Sequence, residues 1–400
     1  MSLRRRTFLA AIPAAALAGC AGERPLQVAV VWSGEELRRF NEVVDEYGSV
    51  NVYSAGDNIG ALLRGPAREV LPDVAVIPRL GLLFDPSIQS RIRPLAEAGS
   101  RQPAFWRGLV TPYGSDERLG AWFKIAHKSL VWHRAGEGTP PADLDGWQPG
   151  RLAIGAADGW VLSDWFENVL LAYAPEVYGG LFPPLDSADW WRAPQVASAL
   201  KLLGTVWRSA FTPEQGRRAL TMQFHDSILD VFVYRTADFV AAPDFALPVI
   251  ERHAGKGAAA YFRFPAYRQN PPPLVVGGDV AVAMKDGGEK AVDFVNWLTR
   301  ERKKPDALTR WVADGGFLTP FTLPPHELLR EPAQELKSAA NAHYDLSDRL
   351  LGGLEGGDGR GLWRVLTELF TDVTVNTVEP DTAARAAQDK LYAGSREGAL

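Results

Sequence analysis

The first quarter of the chain switches between two hydrophobic periods. Leu26-Gln27-Val28-Ala29-Val30-Val31 is rich in β-branched residues and weakly alternating, which predicts a strand. Trp32-Ser33-Gly34 ends it. Leu37, Phe40, Val44 and Tyr47 then recur at helical spacing, with Glu35 and Glu36 at the positive end of the helix dipole. Residues 50–53 predict a second strand, Gly56-Asp57-Asn58 a loop, and Ile59, Leu62 and Leu63 the start of another helix. Residues 73–77 form a third, apolar strand closed by Pro78. Strand, helix, strand, helix, strand implies a parallel sheet with helices on its faces. Ligands of such α/β sheets sit beyond the C-terminal ends of the strands, and those ends carry Trp32, Asp57 and Arg79.

A second α/β unit begins near residue 126. Residues 120–124 and 128–132 read as a strand-like pair, 140–149 as a turn-rich stretch, and 152–155 as a renewed strand. Next comes Gly159 to Asn168, GWVLSDWFEN, which gathers two tryptophans, two carboxylates, a serine and an amide. Leu162, Phe166, Val169, Leu170 and Tyr173 share one helix side, so they form a core stripe. At about 100° per residue, Trp165 falls on its flank, while Asp164 and Asn168 fall nearly opposite. Ser163 is expected to cap the helix, which leaves Trp160 in the turn before it. Helices follow through Val196, Leu200, Leu203 and Trp207 and over residues 221–234. Residues 237–242 read as a strand before Pro243-Asp244-Phe245. Residues 274–284 read as a strand interrupted by Gly277-Gly278-Asp279, where the glycines would let backbone approach a ligand closely. The rest is helical, with Leu362, Val365, Leu366, Leu369 and Phe370 as a stripe.

Composition and the N-terminus narrow the class. Arg4, Arg5 and Arg6 precede an apolar stretch of small residues and leucines, and Leu17-Ala18-Gly19-Cys20 places small residues before the only cysteine. The pattern resembles bacterial lipoprotein signals, which implies cleavage before Cys20 and lipid on its sulfur. The Arg-Arg-Arg-Thr-Phe-Leu run also resembles a twin-arginine export signal. No other apolar run approaches the 18 residues of a membrane span. The chain carries a net charge of −5, more negative once the three arginines leave, with no basic run to meet a nucleic acid. Its 400 residues suit two lobes better than one core. Thirteen tryptophans exceed what a core usually needs, so some are expected to face a ligand.

Seven segments, in order, resemble the extracellular solute-binding proteins of bacterial carbohydrate ABC transporters, family 1, of the α-glucoside-binding kind. They are LPDVAVIPRLGLL (71–83), GAWFKIAHKSLVWH (120–133), GWVLSDWFEN (159–168), YRTADFVAAPDF (234–245), VVGGDVAVAMKD (275–286), GGFLTP (315–320) and YDLSDRLLGGLEGGDGRGLW (344–363). The resemblance implies the periplasmic-binding-protein type II fold. Two α/β lobes, joined by crossing segments near 124–128, near 274–278 and after 319, would close on a sugar. It implies a signal peptide over residues 1–19, a first lobe of 20–125 with 276–320, and a second of 126–275 with 321–400. A monomeric, lipid-anchored receptor at the extracytoplasmic membrane face would deliver sugar to ABC permease subunits served by a separate ATPase. The chain departs from the family in a shorter linker before the tryptophan-rich wall and in Val276-Gly277-Gly278-Asp279 where a third glycine is usual.

A pyranose offers a hydroxyl rim and apolar C–H faces, so its sites pair flat aromatics with carboxylates, amides or guanidinium groups. The expected ligand residues are Trp160, Asp164, Trp165, Asn168, Asp244, Phe245, Gly277, Gly278 and Asp279. Trp32, Asp57 and Arg79 join them by strand-end position alone. Asp164 equally fits a solvated acid of a first helical turn, and either tryptophan equally fits a core. No nucleophile elbow, phosphate loop, dinucleotide fingerprint or metal-ligand spacing is present, so neither cofactor nor metal is expected. A surface glycoside-processing enzyme remains the alternative class, with Asp164 and Glu167 as its pair. A binding protein of this fold for a polyol or another non-sugar is the other.

Overall fold

The computed structural model describes residues 24–65, 71–182, 188–302, 304–357 and 359–397. The expected signal segment and Cys20 lie outside the described residues. Among the described residues ten strands form two sheets: β1 (Leu26–Val30), β2 (Val50–Ser54), β3 (Val74–Ile77), β4 (Ala121–His127), β5 (Leu130–Arg134), β6 (Leu152–Ala153), β7 (Phe239–Ala241), β8 (Ala259–Arg263), β9 (Val275–Ala283) and β10 (His343–Tyr344).

The first sheet has the order β2-β1-β3-β9-β10, with β4 also on β9. β1 pairs in parallel with both β2 and β3, as the repeated strand–helix rhythm predicts. β3 is buried at every position, as a strand covered on both faces must be, and β2 at the sheet edge is polar and partly exposed. The Gly34–Val44 helix covers one face through Phe40, Val43 and Val44. Helices Gly288–Leu298 and Ala307–Ala313 complete that core with Phe294, Val295, Leu308 and Trp311. A second core starts on the other face, at Ala29, Ala75, Ile77 and Trp122. It runs unbroken into the second sheet at Val131, Trp132, Val240 and Phe262.

The second sheet has the order β6-β7-β5-β8, with β6 and β7 parallel and β5 antiparallel to both neighbours. Helices Gly159–Tyr173, Pro194–Ala210, Gly361–Thr374 and Pro380–Arg396 pack on one another beside it. The chain leaves the first sheet at Lys128-Ser129 and returns at Leu274-Val275. There the Lys128 N–H donates to Val275 O at 2.9 Å and Val275 N–H to Ser129 Oγ at 2.8 Å. Leu318 bridges Ile125 alongside.

β9 corrects one expectation. Gly277-Gly278-Asp279 does not interrupt the strand, because β4 pairs with β9 through that stretch, across a bulge between Trp122 and Lys124. Gly278 has φ +148°, and a Cβ there would stand 2.3 Å from Lys124 O and 2.8 Å from Ile125 Cα. The glycine admits a neighbouring strand.

Candidate functional site

The Gly159–Tyr173 helix begins one turn earlier than the capping argument predicts, with Asp158 at the N-cap position. The Asp158 carboxylate instead accepts the Phe224 N–H at 2.6 Å, and Ser163, now inside the helix, donates to Trp160 O. From Val161 to Ala172 every residue is buried, polar ones included. Trp165 is 1% exposed, stacked on Trp147 at 5.7 Å and edge-on to Phe264, so it belongs to the core rather than to a ligand surface. Most of the tryptophan excess is likewise internal: Trp106, Trp122, Trp132, Trp191 and Trp207 are fully buried.

Periodicity places Asp164 and Asn168 on an open face, but the 345–348 segment and Lys128 cover it. The Lys128 ammonium meets Asp164 Oδ1 at 3.2 Å, Asp345 in a close ion pair and Asp348 at 3.6 Å. Asn168 donates to Lys128 O and Asp164 O, at 3.0 and 2.8 Å. Burial alone would lower the lysine, yet the three carboxylates hold it well above its ordinary value. Burial, reinforced by Asp345, drives Asp348 up to about 7 and Asp164 well above the carboxylate range against Lys128's pull. Burial would raise Asp345, but Lys128, the Asp348 N–H and the Ser347 hydroxyl together hold it low. Asp164 Oδ2 and Asn168 Oδ1 are buried without a partner. Glu167 accepts from Tyr178 OH, Leu346 N–H and Ser347 N–H at 2.6, 2.6 and 3.0 Å, so it clamps this loop and cannot pair with Asp164 across a glycosidic bond.

A second constellation stands at the C-terminal end of β1. Lys124 Nζ lies 3.7 Å from the Trp32 ring centroid, 4.6 Å from Trp311 and 4.9 Å from Phe317, and pairs with Glu36. The Trp32 indole N–H donates to Asp279, which sits opposite Lys124 on β9 and which burial raises to about 6. Gly277 carries Lys128's stem above it, with Cε 2.9 Å from a would-be Cβ. Both glycines therefore face protein atoms. At the end of β3, Arg79 donates to Gly356 O at 2.7 Å and Asp57 O at 3.0 Å, and it meets Glu355 at 3.4 Å.

The second sheet presents an aromatic surface. Trp160, half-buried, lies 5.0 Å from Phe224 and 6.2 Å from Phe245 between ring centroids. Asp244 beside them is wholly buried and accepts the His127 N–H at 2.6 Å; burial raises it to about 7. The strand ends of both sheets meet here. Asp57 is near enough to raise Asp158 further, after burial, and Arg252 reaches Glu35 at 3.3 Å. Sequence reasoning missed Lys128, Asp345, Asp348, Lys124, Glu36 and Phe224. The pair Asp345 and Asp348, three apart beside a serine in a segment otherwise rich in leucine, was the available signal. Among the described residues no cluster of His, Cys, Asp and Glu fits a metal, and no helix is long and apolar enough to cross a membrane.

The strand ends of the two sheets thus converge on a polar junction walled by aromatic rings. No family model matches the chain. It is 26% identical to the osmoprotective compounds-binding protein GgtB of Synechocystis sp., over 72% of this chain and 74% of that one. It is also 26% identical to the α-glucosides-binding periplasmic protein AglE of Rhizobium meliloti, over 82% and 80%. Its structure matches the binding protein RafE, solved with raffinose, at a TM-score of 0.71 and 11% identity, over 92% of this chain and all of that one. The maltose-maltodextrin binding protein of Alicyclobacillus acidocaldarius matches at 0.66 and 13%, with the same coverage. The type II periplasmic-binding fold expected from the sequence is therefore present. Both relatives and these structural neighbours are named as binding proteins, and the chain is similar to them in sequence and in fold.

Proposed function

We propose that this protein is the extracytoplasmic substrate-binding component of a carbohydrate ABC importer, anchored by lipid on Cys20, which carries a captured sugar or oligosaccharide to permease subunits. The single observation that carries the reading is the pair of partly exposed rings, Trp160 and Phe245, packed on buried Phe224 beside strand ends rich in carboxylates, the pairing that pyranose recognition requires. The names of both relatives agree with solute capture. In this reading residues 20–125 with 276–320 form one lobe and 126–275 with 321–400 the other, and β4 and β9 carry the hinge. Trp160, Phe245, Asp57, Arg79 and Asp279 are the proposed ligand side chains. Bound sugar touches both lobes only when they are closed, which supplies the differential contacts that shift the equilibrium.

GgtB's name favours a second reading for the same cleft, an osmoprotective solute such as a polyol derivative. Calorimetry with neutral mono- to tetrasaccharides and with polyols tests both. Sugar binding at one per chain, with the sugar recovered unchanged, and at least about tenfold weaker binding in Trp160→Ala at unchanged melting temperature, is expected. Binding of polyols alone selects the second reading. Silence across both sets refutes the cleft assignment and leaves the fold untouched.

A further inference from the structure

A cavity of about 410 Å³ lies in the second sheet's lobe, at the opposite end of β6 and β7 from Trp160 and Phe245. Both parallel strands run from this cavity toward the junction: β6 starts after Arg151 and leads to Asp158, while β7 starts after Asp238 and leads to Asp244. A ligand here would be separated from Trp160 and Phe245 by the two residues of β6 and the three of β7. Another cavity, of about 470 Å³, is lined by Glu97, Asp293 and Glu301 with Arg101 and Arg300, a mixed charge that selects no ligand class.

The smaller cavity has a definite polarity. Its floor is apolar, from Leu152, Ile154, Phe211 and Met222, and its rim carries Arg151, Arg218 and Arg235 against a single carboxylate, Asp230. In a chain of net charge −5 this local excess of cations stands out. Asp230 engages Arg218 through Nη2 at 2.6 Å, and Asp238 engages Arg151. Arg235 has no ion-pair partner among the described residues, and its backbone is held at φ 55°, a conformation that disfavours any side chain. Two ties keep it there: Asp230 O accepts the Thr236 N–H at 2.9 Å, and Arg235 O accepts Arg151 Nη1 at 3.1 Å. A tied, strained loop thus aims an unspent guanidinium at the mouth of an apolar cavity, and guanidinium is the group best suited to grip a carboxylate or phosphate.

We propose that this cavity is a second ligand site, for a small organic anion with a carboxylate or phosphate-ester head and an apolar body. Its volume lies in the range of small-molecule pockets. Arg235 and Arg218 take the head, and Ile154, Phe211 and Met222 take the body.

Calorimetry and ligand-observed NMR on the full chain, with phenyl phosphate and with benzoate as probes, test this. One molecule should bind per chain, and Arg235→Glu and Arg235→Gln should each weaken it about tenfold or more while circular dichroism and melting stay unchanged. Binding of only one probe assigns the head group. Trp160→Ala should leave the affinity unchanged. The proposal is overturned if neither probe binds at about 10 mM, if both Arg235 variants bind as well as the parent, or if Trp160→Ala abolishes binding. Inorganic phosphate binding as tightly as phenyl phosphate would refute the role of the apolar floor.

Discussion

Replacing Lys128 by Met keeps the length of the stem that packs over Gly277 and removes only the ammonium. Lys128 is 11% exposed and holds Asp164, Asp345 and Asp348, whose side chains are 10%, 0% and 11% exposed. Breaking a buried ion pair from one side costs about 3–5 kcal/mol, because the remaining charges stay buried and uncompensated. An unfolding entropy of about 2.1 cal/mol/K per residue gives roughly 0.8 kcal/mol/K for a chain of this length, so melting should fall by about 4–6 °C. The pH dependence gives a sharper signature. In the parent, Asp345 is held below its unfolded value, so its contribution is present above that value and lost as pH falls. Without Lys128 the carboxyls are raised by burial and mutual repulsion, so their protonated forms are tolerated at low pH and stability drains as pH rises. Scanning calorimetry at pH 5 and pH 8 should therefore show the larger loss at pH 8. A drop under about 1 °C, or a larger loss at pH 5, would refute the assignment of this cluster as a charge-compensated core.

Gly278→Ala should destabilise by about 3 kcal/mol or more, since a Cβ there would meet the β4 backbone, which has no free rotamer to yield; urea midpoints followed by tryptophan fluorescence check it. Asp244 is raised by burial to about 7, so the stability it contributes is full at acid pH and is lost as pH rises through about 7. Asp244→Asn, which cannot ionise, should therefore lose less stability than the parent between pH 5 and pH 8 in thermal melts, and an identical slope in both proteins would count against that titration.

How much of this was legible from the residues depended on where each element finds its partners. β1, β2 and β3 announce themselves, because their burial follows from local apolar runs and the helices between them are amphipathic. The continuity of β9 did not, because Gly277 and Gly278 read as a break until β4, about 150 residues earlier, is seen to pair across them. The Gly159–Tyr173 helix misled in the same way. Its polar residues keep helical spacing opposite the apolar stripe, yet Lys128 and the 345–348 segment cover them in the interior. The two-residue β10 carries too little pattern to be noticed, and β8 was overlooked. Within the candidate site, Trp160 and Phe245 were visible as aromatics next to strand ends, whereas Lys124's aromatic enclosure requires Trp32, Trp311 and Phe317 from three separate stretches.

The pairing of β3 with β9 also sets a schedule for the protein's birth. Val74 to Ile77 wait for Val280 to Ala283, some 200 residues downstream. At the usual pace of about 5–20 residues per second, synthesis leaves one edge of β3 without its partner for roughly 10–40 s. That edge belongs to a wholly apolar strand, the kind most prone to pair with the wrong chain. The first sheet is thus begun at the start of translation and finished near its end, so its early strands need shelter for most of the time the chain is being made.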